Sequence, residues 1–251
     1  MRDAPTGRPT TCKLGGGFGP SAKNSAGPRS RPSVKPALMP SYPHKPVDHQ
    51  IGRRNVILLR EPSDRRIRRF LDEQRSLPFS YPEVGASRGG APPGYPVNHH
   101  RGRLGTGQEA FARAIEALWR WKMYELGWTK ICWPDAPVAE GTVVGLLGRH
   151  LGVWSLNACR IAYVLEEEGP SHRRYGFAFG TLPGHVERGE ERFTVEWHRA
   201  DDSVWYEVFA FARPAHPLAK VGRPFVRLIQ RRFAIGFLRS MAAAGEGGGE
   251  R

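Results

Sequence analysis

The densest group of chemically capable residues lies in one short segment between two predicted strands. It begins with Gly180-Thr-Leu-Pro-Gly-His185 and continues into Gly189-Glu-Glu-Arg192. An imidazole titrates near neutral pH, so we predict that His185 acts as a general acid or base. Glu190 is predicted as the second catalytic group, and either Glu190 or Glu191 would set the tautomer of the imidazole. The glycines leave the backbone free to form a tight hairpin around these groups.

Other residues of this segment are predicted to bind a ligand, and Arg192 would hold an anionic group through charge-assisted hydrogen bonds. The alternative is structural, with Glu190 and Arg192 paired across the sheet ladder and His185 solvated on the turn. The residue types leave both interpretations open. The predicted ligand-binding residues are Arg160, Tyr175, Thr181, Glu191 and Arg192.

Arg160 is the second predicted anion-binding residue. In the predicted strand 159–165 it shares a face with Ala162 and Val164. A guanidinium beside apolar neighbours needs a carboxylate partner. The resulting ion pair would either be structural or form the floor of a pocket that binds a ligand carboxylate or phosphate. The candidate partners on neighbouring strands are Glu190, Glu191, Glu196 and Glu207.

The sequence predicts no metal site and no cofactor. His99 and His100 are adjacent, so their side chains point in opposite directions on an extended chain. None of the patterns HExxH, CxxC, GxSxG or a Walker loop is present. Leu104-Gly-Thr-Gly107 precedes a predicted helix, as a phosphate-binding loop would, but no nucleotide fingerprint completes it.

A helix, a run of strands and a closing helix must position these residues. Helical spacing of apolar residues predicts a short helix at 63–71, a long one at 108–126 and a last one at 218–243. Between the last two the period changes to alternation, which predicts an antiparallel meander. This order predicts an α+β fold with a curved antiparallel sheet packed against a long C-terminal helix. The predicted strands are 142–147, 152–156, 159–165, 175–182, 192–198 and 204–212.

The strand at 192–198 indicates which face of the sheet is core. Phe193, Val195 and Trp197 alternate with polar residues, so we predict that these three side chains face the interior. The strands also carry more aromatic residues than a minimal core needs, which favours an apolar cavity between the sheet and the last helix.

The motifs of the chain together resemble uncharacterised protein family 0548. The resemblance covers about residues 55–243 and implies a START-like, helix-grip architecture. The resemblance names no reaction, so no catalytic residue is carried over from it. It implies that the members of the family are mostly bacterial and plant proteins, and we predict a bacterial source for this chain. The motifs are Tyr81-Pro-Glu-Val-Gly85, Pro93-Gly-Tyr95, Leu104-Gly-Thr-Gly107, Asn157-Ala-Cys-Arg160, Tyr175-Gly-Phe-Ala-Phe-Gly-Thr-Leu-Pro-Gly-His185, Gly189-Glu-Glu-Arg-Phe193 and Ser203-Val-Trp-Tyr-Glu207.

Residues 1–54 are predicted to be a disordered basic tail, and 244–251 a short disordered C-terminal tail, on either side of one domain at 55–243. Most of the formal net charge of +14 belongs to the N-terminal tail. Such a tail could contact nucleic acid or an anionic membrane, but the absence of interleaved aromatic residues favours an extension without that role. The chain shows no secretory signal and only three cysteines, which predicts a cytoplasmic protein.

We therefore predict that the chain binds a small apolar or amphipathic molecule with an anionic end in a cavity between sheet and helix. Two alternatives stay open at this point. One is an enzyme of acyl or lipid metabolism that uses His185 and Glu190. The other is a basic interaction module for nucleic acid or a membrane surface.

Overall fold

The computed structural model describes residues 57–215 and 223–245 of the chain. The predicted tail at 1–54 lies outside the described residues, as does the C-terminal tail beyond Gly245. The last helix ends at Gly245, slightly beyond the predicted domain boundary at 243. Within the described part of the chain, no helix is long and apolar enough to cross a bilayer.

The strands form one antiparallel sheet in the order β2-β8-β7-β6-β5-β4-β3, and the short β1 pairs with the start of β5. Each neighbouring pair from β4 to β8 is a hairpin, as the predicted meander requires. The strands are β1 Ile57–Leu58, β2 Val97–Thr106, β3 Thr129–Cys132, β4 Val143–His150, β5 Val153–Glu168, β6 His172–Thr181, β7 Glu187–His198 and β8 Ser203–Pro214.

The described residues form three α-helices, which are α1 Asp64–Arg75, α2 Gly107–Trp119 and α3 Arg223–Gly245. Helices α2 and α3 pack on one face of the sheet, which we call the inner face. The Phe237 ring of α3, for example, lies 5.7 Å from the Phe193 ring of β7 between centroids. Helix α1 packs in a second cluster with Leu147 and Leu156. The predicted α+β fold, with a helix-grip arrangement of the sheet and the C-terminal helix, is confirmed.

Helix α2 is shorter than predicted and ends at Trp119 instead of 126. Trp121 adopts a left-handed backbone with φ of 55°, and a 3-10 turn at Lys122–Tyr124 follows. This bend brings Trp121, Met123 and Tyr124 into the core together, which a straight helix could not do with residues so closely spaced. Burial of three large side chains therefore outweighs the local preference to continue the helix.

Two strand predictions were also wrong. Residues 152–156 and 159–165 belong to one strand, β5, which pairs first with β4 and then with β6. The stretch rich in Gly and Pro before α2, for which no strand was predicted, contains the ten-residue edge strand β2. Strand β2 lacks apolar alternation because it is an edge strand with many exposed side chains, so its pairing with β8 leaves little signal in the sequence.

The predicted core face of β7 is confirmed. Phe193 and Val195 are fully buried on the inner face, and the partly buried Trp197 packs against the same cluster. The opposite, outer face carries Glu190 and Thr194, which are also buried.

Candidate functional site

A cavity of about 380 Å³ lies between the inner face of the sheet and α3. Its wall is mostly apolar, and its polar side chains come from several strands and from the β6–β7 hairpin. The apolar lining includes Leu146, Val153, Phe179, Val208, Phe233 and Phe237, and the polar lining includes Asn98, His100, Tyr124, His150, Asn157, Thr181, His185, Glu187 and Glu191.

Glu191 is an acidic residue of the cavity lining, on the inner face of β7. It points to the inner face because it alternates with Glu190 along β7, and it lies opposite Phe179 on β6 and Ala210 on β8. The Tyr124 hydroxyl donates a hydrogen bond to Glu191 Oε2 over 3.1 Å. Burial raises the pKa of the Glu191 carboxyl to about 8, the Glu187 carboxylate adds to the rise, and the Tyr124 hydrogen bond opposes it. Glu191 is therefore mostly protonated at neutral pH.

His185 also lines the cavity, in the turn between β6 and β7. His185 Nδ1 lies 2.9 Å from the Glu187 backbone nitrogen and 3.1 Å from the Glu187 carbonyl oxygen, so the hairpin backbone holds the ring in place. Burial lowers the pKa of His185 to about 4, and its contact with the Glu187 backbone opposes that change. The imidazole is therefore uncharged at neutral pH, which differs from the titrating group that the sequence predicted.

Glu190 is also a residue of the cavity lining, but four donors engage its carboxylate on the outer face. It accepts hydrogen bonds from the Tyr81 hydroxyl at 2.6 Å, from the backbone N–H of Gly85 at 2.7 Å and from that of Ser87 at 2.9 Å. The Ser87 hydroxyl is the fourth donor. Alternation along β7 directs the neighbouring Glu191 to the inner face, and a joint catalytic role of His185 and Glu190 stays a prediction.

The close approach of Tyr81 to the sheet explains one glycine of the motif. A side chain at Gly180 would place its Cβ 2.1 Å from the Tyr81 hydroxyl, so only glycine leaves room for the hydrogen bond to Glu190.

Both predicted arginine clamps lie on the outer face as well. Arg160 Nη2 donates to the carbonyl oxygens of Arg75 at 2.8 Å and Leu77 at 2.9 Å, and so caps the end of α1. Arg192 forms an ion pair with Glu207 and donates to the Ser87 carbonyl at 2.6 Å. Neither guanidinium lines the cavity. The predicted carboxylate partner of Arg160 is replaced in these contacts by backbone carbonyls, whose position depends on how α1 packs.

The remaining predicted residues are divided between two places. Thr181 lines the cavity, but its hydroxyl accepts the Gly189 N–H at 3.0 Å and contacts the Ser80 hydroxyl at 2.6 Å. Tyr175 lies outside the cavity, where its hydroxyl accepts a hydrogen bond from the Trp119 indole. The structure thus brings Thr181, His185 and Glu191 together and separates them from Tyr175.

Sequence reasoning missed several polar residues of the cavity, among them Tyr124 and Asn157. Tyr124 lies within the segment 108–126 that was predicted as helix, and α2 in fact ends at Trp119. Asn157 appeared only within a motif, yet its Oδ1 accepts the Val186 N–H at 3.2 Å and holds the hairpin that carries His185. The only available signal for Asn157 was a lone amide in a run of apolar residues.

Replacing Arg160 by methionine tests the structural role that the contacts indicate. We expect a loss of about 1 to 3 kcal/mol in unfolding free energy, because the carbonyls at the end of α1 lose a charged donor. Binding of an apolar fluorophore in the cavity should not change. Urea unfolding and a fluorescence titration of the same variant measure the two effects. Weakened binding with unchanged stability would instead place Arg160 in the binding site.

Comparison with known proteins places this fold and site in a family. The domain of unknown function DUF1990 matches residues 80–240. A UPF0548 protein of Dictyostelium discoideum is 32% identical over 206 residues, which cover 75% of this chain and 95% of that protein. The chain belongs to the UPF0548 family. The resemblance to family 0548 is therefore confirmed.

A second UPF0548 relative, from Deinococcus radiodurans, is 35% identical over 201 residues and is covered to 98% of its length. The crystal structure of human STARD10 is similar with a TM-score of 0.33 and 11% identity, covering 72% of this chain and 81% of that one. The Dictyostelium relative shows that UPF0548 proteins are not confined to bacteria and plants, so family membership does not support the predicted bacterial source.

Several UPF0548 motifs of this chain meet on the outer face rather than in the cavity. Tyr81 and Gly85, from the first motif, both bind Glu190 of the later Gly189-Glu-Glu motif. Tyr95 of the Pro93-Gly-Tyr95 motif donates to Glu83 over 2.8 Å. These motif residues hold the segment 81–95 against the sheet, whereas Asn157, Thr181, His185 and Glu191 are motif residues that line the cavity.

Proposed function

We propose that the protein binds a small, largely apolar molecule in the cavity between the sheet and α3. The observation that carries the proposal is the cavity itself, with a volume of about 380 Å³, mostly apolar walls and a smaller number of polar groups. Sites for small molecules commonly combine these properties, because apolar walls supply affinity and a few polar groups fix orientation.

We further propose that the polar end of the ligand is uncharged, in place of the anionic end expected from the sequence. Arg160 and Arg192, the expected anion clamps, lie on the outer face. Among the described residues of the lining, Lys130 is the one lysine and there is no arginine. Lys130 forms an ion pair with Glu61 at 2.8 Å. His185 is uncharged at neutral pH, so the lining offers an anion little compensation for the water it would lose.

The two alternatives gain less support. An enzyme that uses His185 and Glu190 loses its second group to the outer face, where four donors already occupy it. A basic interaction module depends on the N-terminal tail, which lies outside the described residues. A cytoplasmic location stays part of the proposal and is supported by the free thiols of Cys132 and Cys159, both buried.

Filling the cavity tests this proposal directly. Ala210 lines the cavity opposite Glu191, so Ala210→Trp should fill part of the space and weaken binding of the neutral fluorophore N-phenyl-1-naphthylamine about tenfold or more. The measurement is a fluorescence titration, accompanied by a thermal melt. Ala200→Trp, at an exposed turn, is the matched control and should bind like the wild type. Equal affinity of both variants, or no binding by the wild type, would contradict the proposal.

A further inference from the structure

We propose that the carboxylic acid of Glu191, held by the Tyr124 hydroxyl, donates a hydrogen bond to a carbonyl oxygen of the ligand. This inference rests on the proposed function and specifies its ligand as an apolar ketone or aldehyde. Glu191 is the binding group, and Tyr124 is a positioning residue.

The geometry leaves one oxygen of Glu191 for the ligand. Tyr124 donates to Oε2 over 3.1 Å, which occupies one oxygen of the carboxyl group. Glu191 itself lines the cavity, between Phe179 on one neighbouring strand and Ala210 on the other. The small alanine leaves space beside the carboxyl group, and a ligand atom in that space lies within reach of it.

The groups around Glu191 favour its neutral form. Four titratable neighbours interact electrostatically with Glu191. They are Tyr124 after α2, Cys159 on β5, Glu187 on β7 and Tyr206 on β8. Two of them are phenols and one is a thiol, and burial raises the pKa of all three. The fourth, Glu187, is itself acidic. None of these neighbours supplies a positive charge to an ionised Glu191.

Other titratable groups of the lining do not change this balance. Burial lowers the pKa of His185 on the β6–β7 hairpin, of His100 on β2 and of His150 on β4, and for His100 the neighbouring His99 adds to the effect. Lys130 on β3 also lines the cavity, and its charge is paired with Glu61. The described α3 side chains of the lining, Phe233 and Phe237, are apolar. The surroundings of Glu191 therefore favour a neutral acid.

A neutral carboxylic acid in an apolar site selects an acceptor on the ligand. Protonated, it offers one O–H donor, and a carbonyl oxygen accepts that bond without bringing a competing donor or a charge. A ligand carboxylate would lie beside Glu187 as well, and like charges in such a site repel. The chemistry therefore favours a carbonyl over an anionic end.

The test compares two fluorescent naphthalenes that differ in one group. Prodan, 6-propionyl-2-(dimethylamino)naphthalene, carries a ketone, and 2-(dimethylamino)naphthalene lacks it. At pH 6.5 we expect Glu191→Leu to bind prodan about tenfold more weakly than the wild type does, because the variant lacks one hydrogen bond to the ketone. Affinity for the analogue without the ketone should stay the same. Bound prodan should also emit at longer wavelength in the wild type, because donation to its carbonyl shifts emission to the red.

Two further variants separate the hydrogen bond from packing and stability. Glu191→Gln keeps a hydrogen-bond donor, so it should retain the affinity for prodan. In the wild type this affinity should decrease as pH rises through about 8, and in Glu191→Gln it should stay constant. Glu196→Gln, a glutamate of the outer face of the same strand, should behave like the wild type. Thermal melts at each pH confirm that the variants are folded.

Two outcomes would overturn the inference. If Glu191→Leu lowers the affinity for both naphthalenes equally, or for neither, Glu191 does not bind the ligand carbonyl. The proposed binding in the cavity would then remain, but the preference for a ketone or aldehyde would be contradicted. If naphthalen-2-ylmethanamine binds the wild type more tightly than prodan, Glu191 acts as an anion toward amines. If the wild type binds none of the three fluorophores (prodan, its analogue without the ketone and N-phenyl-1-naphthylamine), the proposed function itself is contradicted.

Discussion

Glu190→Ala is expected to reduce the unfolding free energy by about 3 to 5 kcal/mol, the scale on which removing one partner of a buried charged network acts. The Glu190 side chain is only 2% exposed and accepts hydrogen bonds from Tyr81, Gly85 and Ser87. Without the carboxylate these donors stay buried and unsatisfied, and each costs free energy. The segment 81–95 should also detach from the sheet. Urea unfolding measures the loss, and limited proteolysis of this segment locates it.

The matched control is Glu191→Gln, a change at the next position of the same strand. It leaves the outer face intact and keeps the contact with Tyr124, so it should cost much less than Glu190→Ala at pH 6. A smaller loss for Glu190→Ala than for Glu191→Gln would mean that the two faces of β7 are reversed. That result would return Glu190 to the cavity and support its predicted pairing with His185.

Stability is expected to fall as pH rises from about 5 to about 8, and Glu191 is the cause. Its pKa is raised from 4.5 to about 8 in the folded protein, so the unfolded chain loses this proton first and the folded state is penalised. Stability from this group is fully present below about pH 4.5 and is lost by pH 8. At about 1.4 kcal/mol per pH unit, the difference of about 3.5 units between the two pKa values corresponds to a total loss of about 5 kcal/mol. Urea unfolding from pH 5 to 9 should show this slope, and Glu191→Gln should remove it.

His185 produces the opposite slope on the acid side of the same measurement. Its pKa is lowered from 6.5 to about 4, so the unfolded chain binds a proton that the folded protein does not. Stability from this group is therefore present above pH 6.5 and is lost as the pH falls to about 4. His185→Asn should flatten the curve below pH 6.5 and leave the Glu191 slope unchanged. A wild-type curve that is flat from pH 4 to 9 would show that both side chains are hydrated.

Much of the fold could be predicted because it depends on local periodicity. The alternation of Phe193, Val195 and Trp197 identified the inner face of β7 correctly, and helical spacing identified α1 and α2. Prediction failed where a longer-range contact decides the local structure. Trp121 takes a left-handed backbone so that its ring can enter the core, and no pattern within the helix itself indicates that bend.

The sequence by itself determined that the Gly180 to Arg192 segment combines an imidazole, two carboxylates and a guanidinium on one hairpin. Tertiary structure decided which of these groups face a ligand. Adjacent residues of a strand point to opposite faces, so a cavity on the inner face receives Glu191, while the segment 81–95 covers Glu190 on the outer face. Tertiary structure also decided their charge, because burial leaves Glu191 protonated and His185 neutral at pH 7. Residue types specify which protons can be exchanged, and only packing determines at which pH this happens.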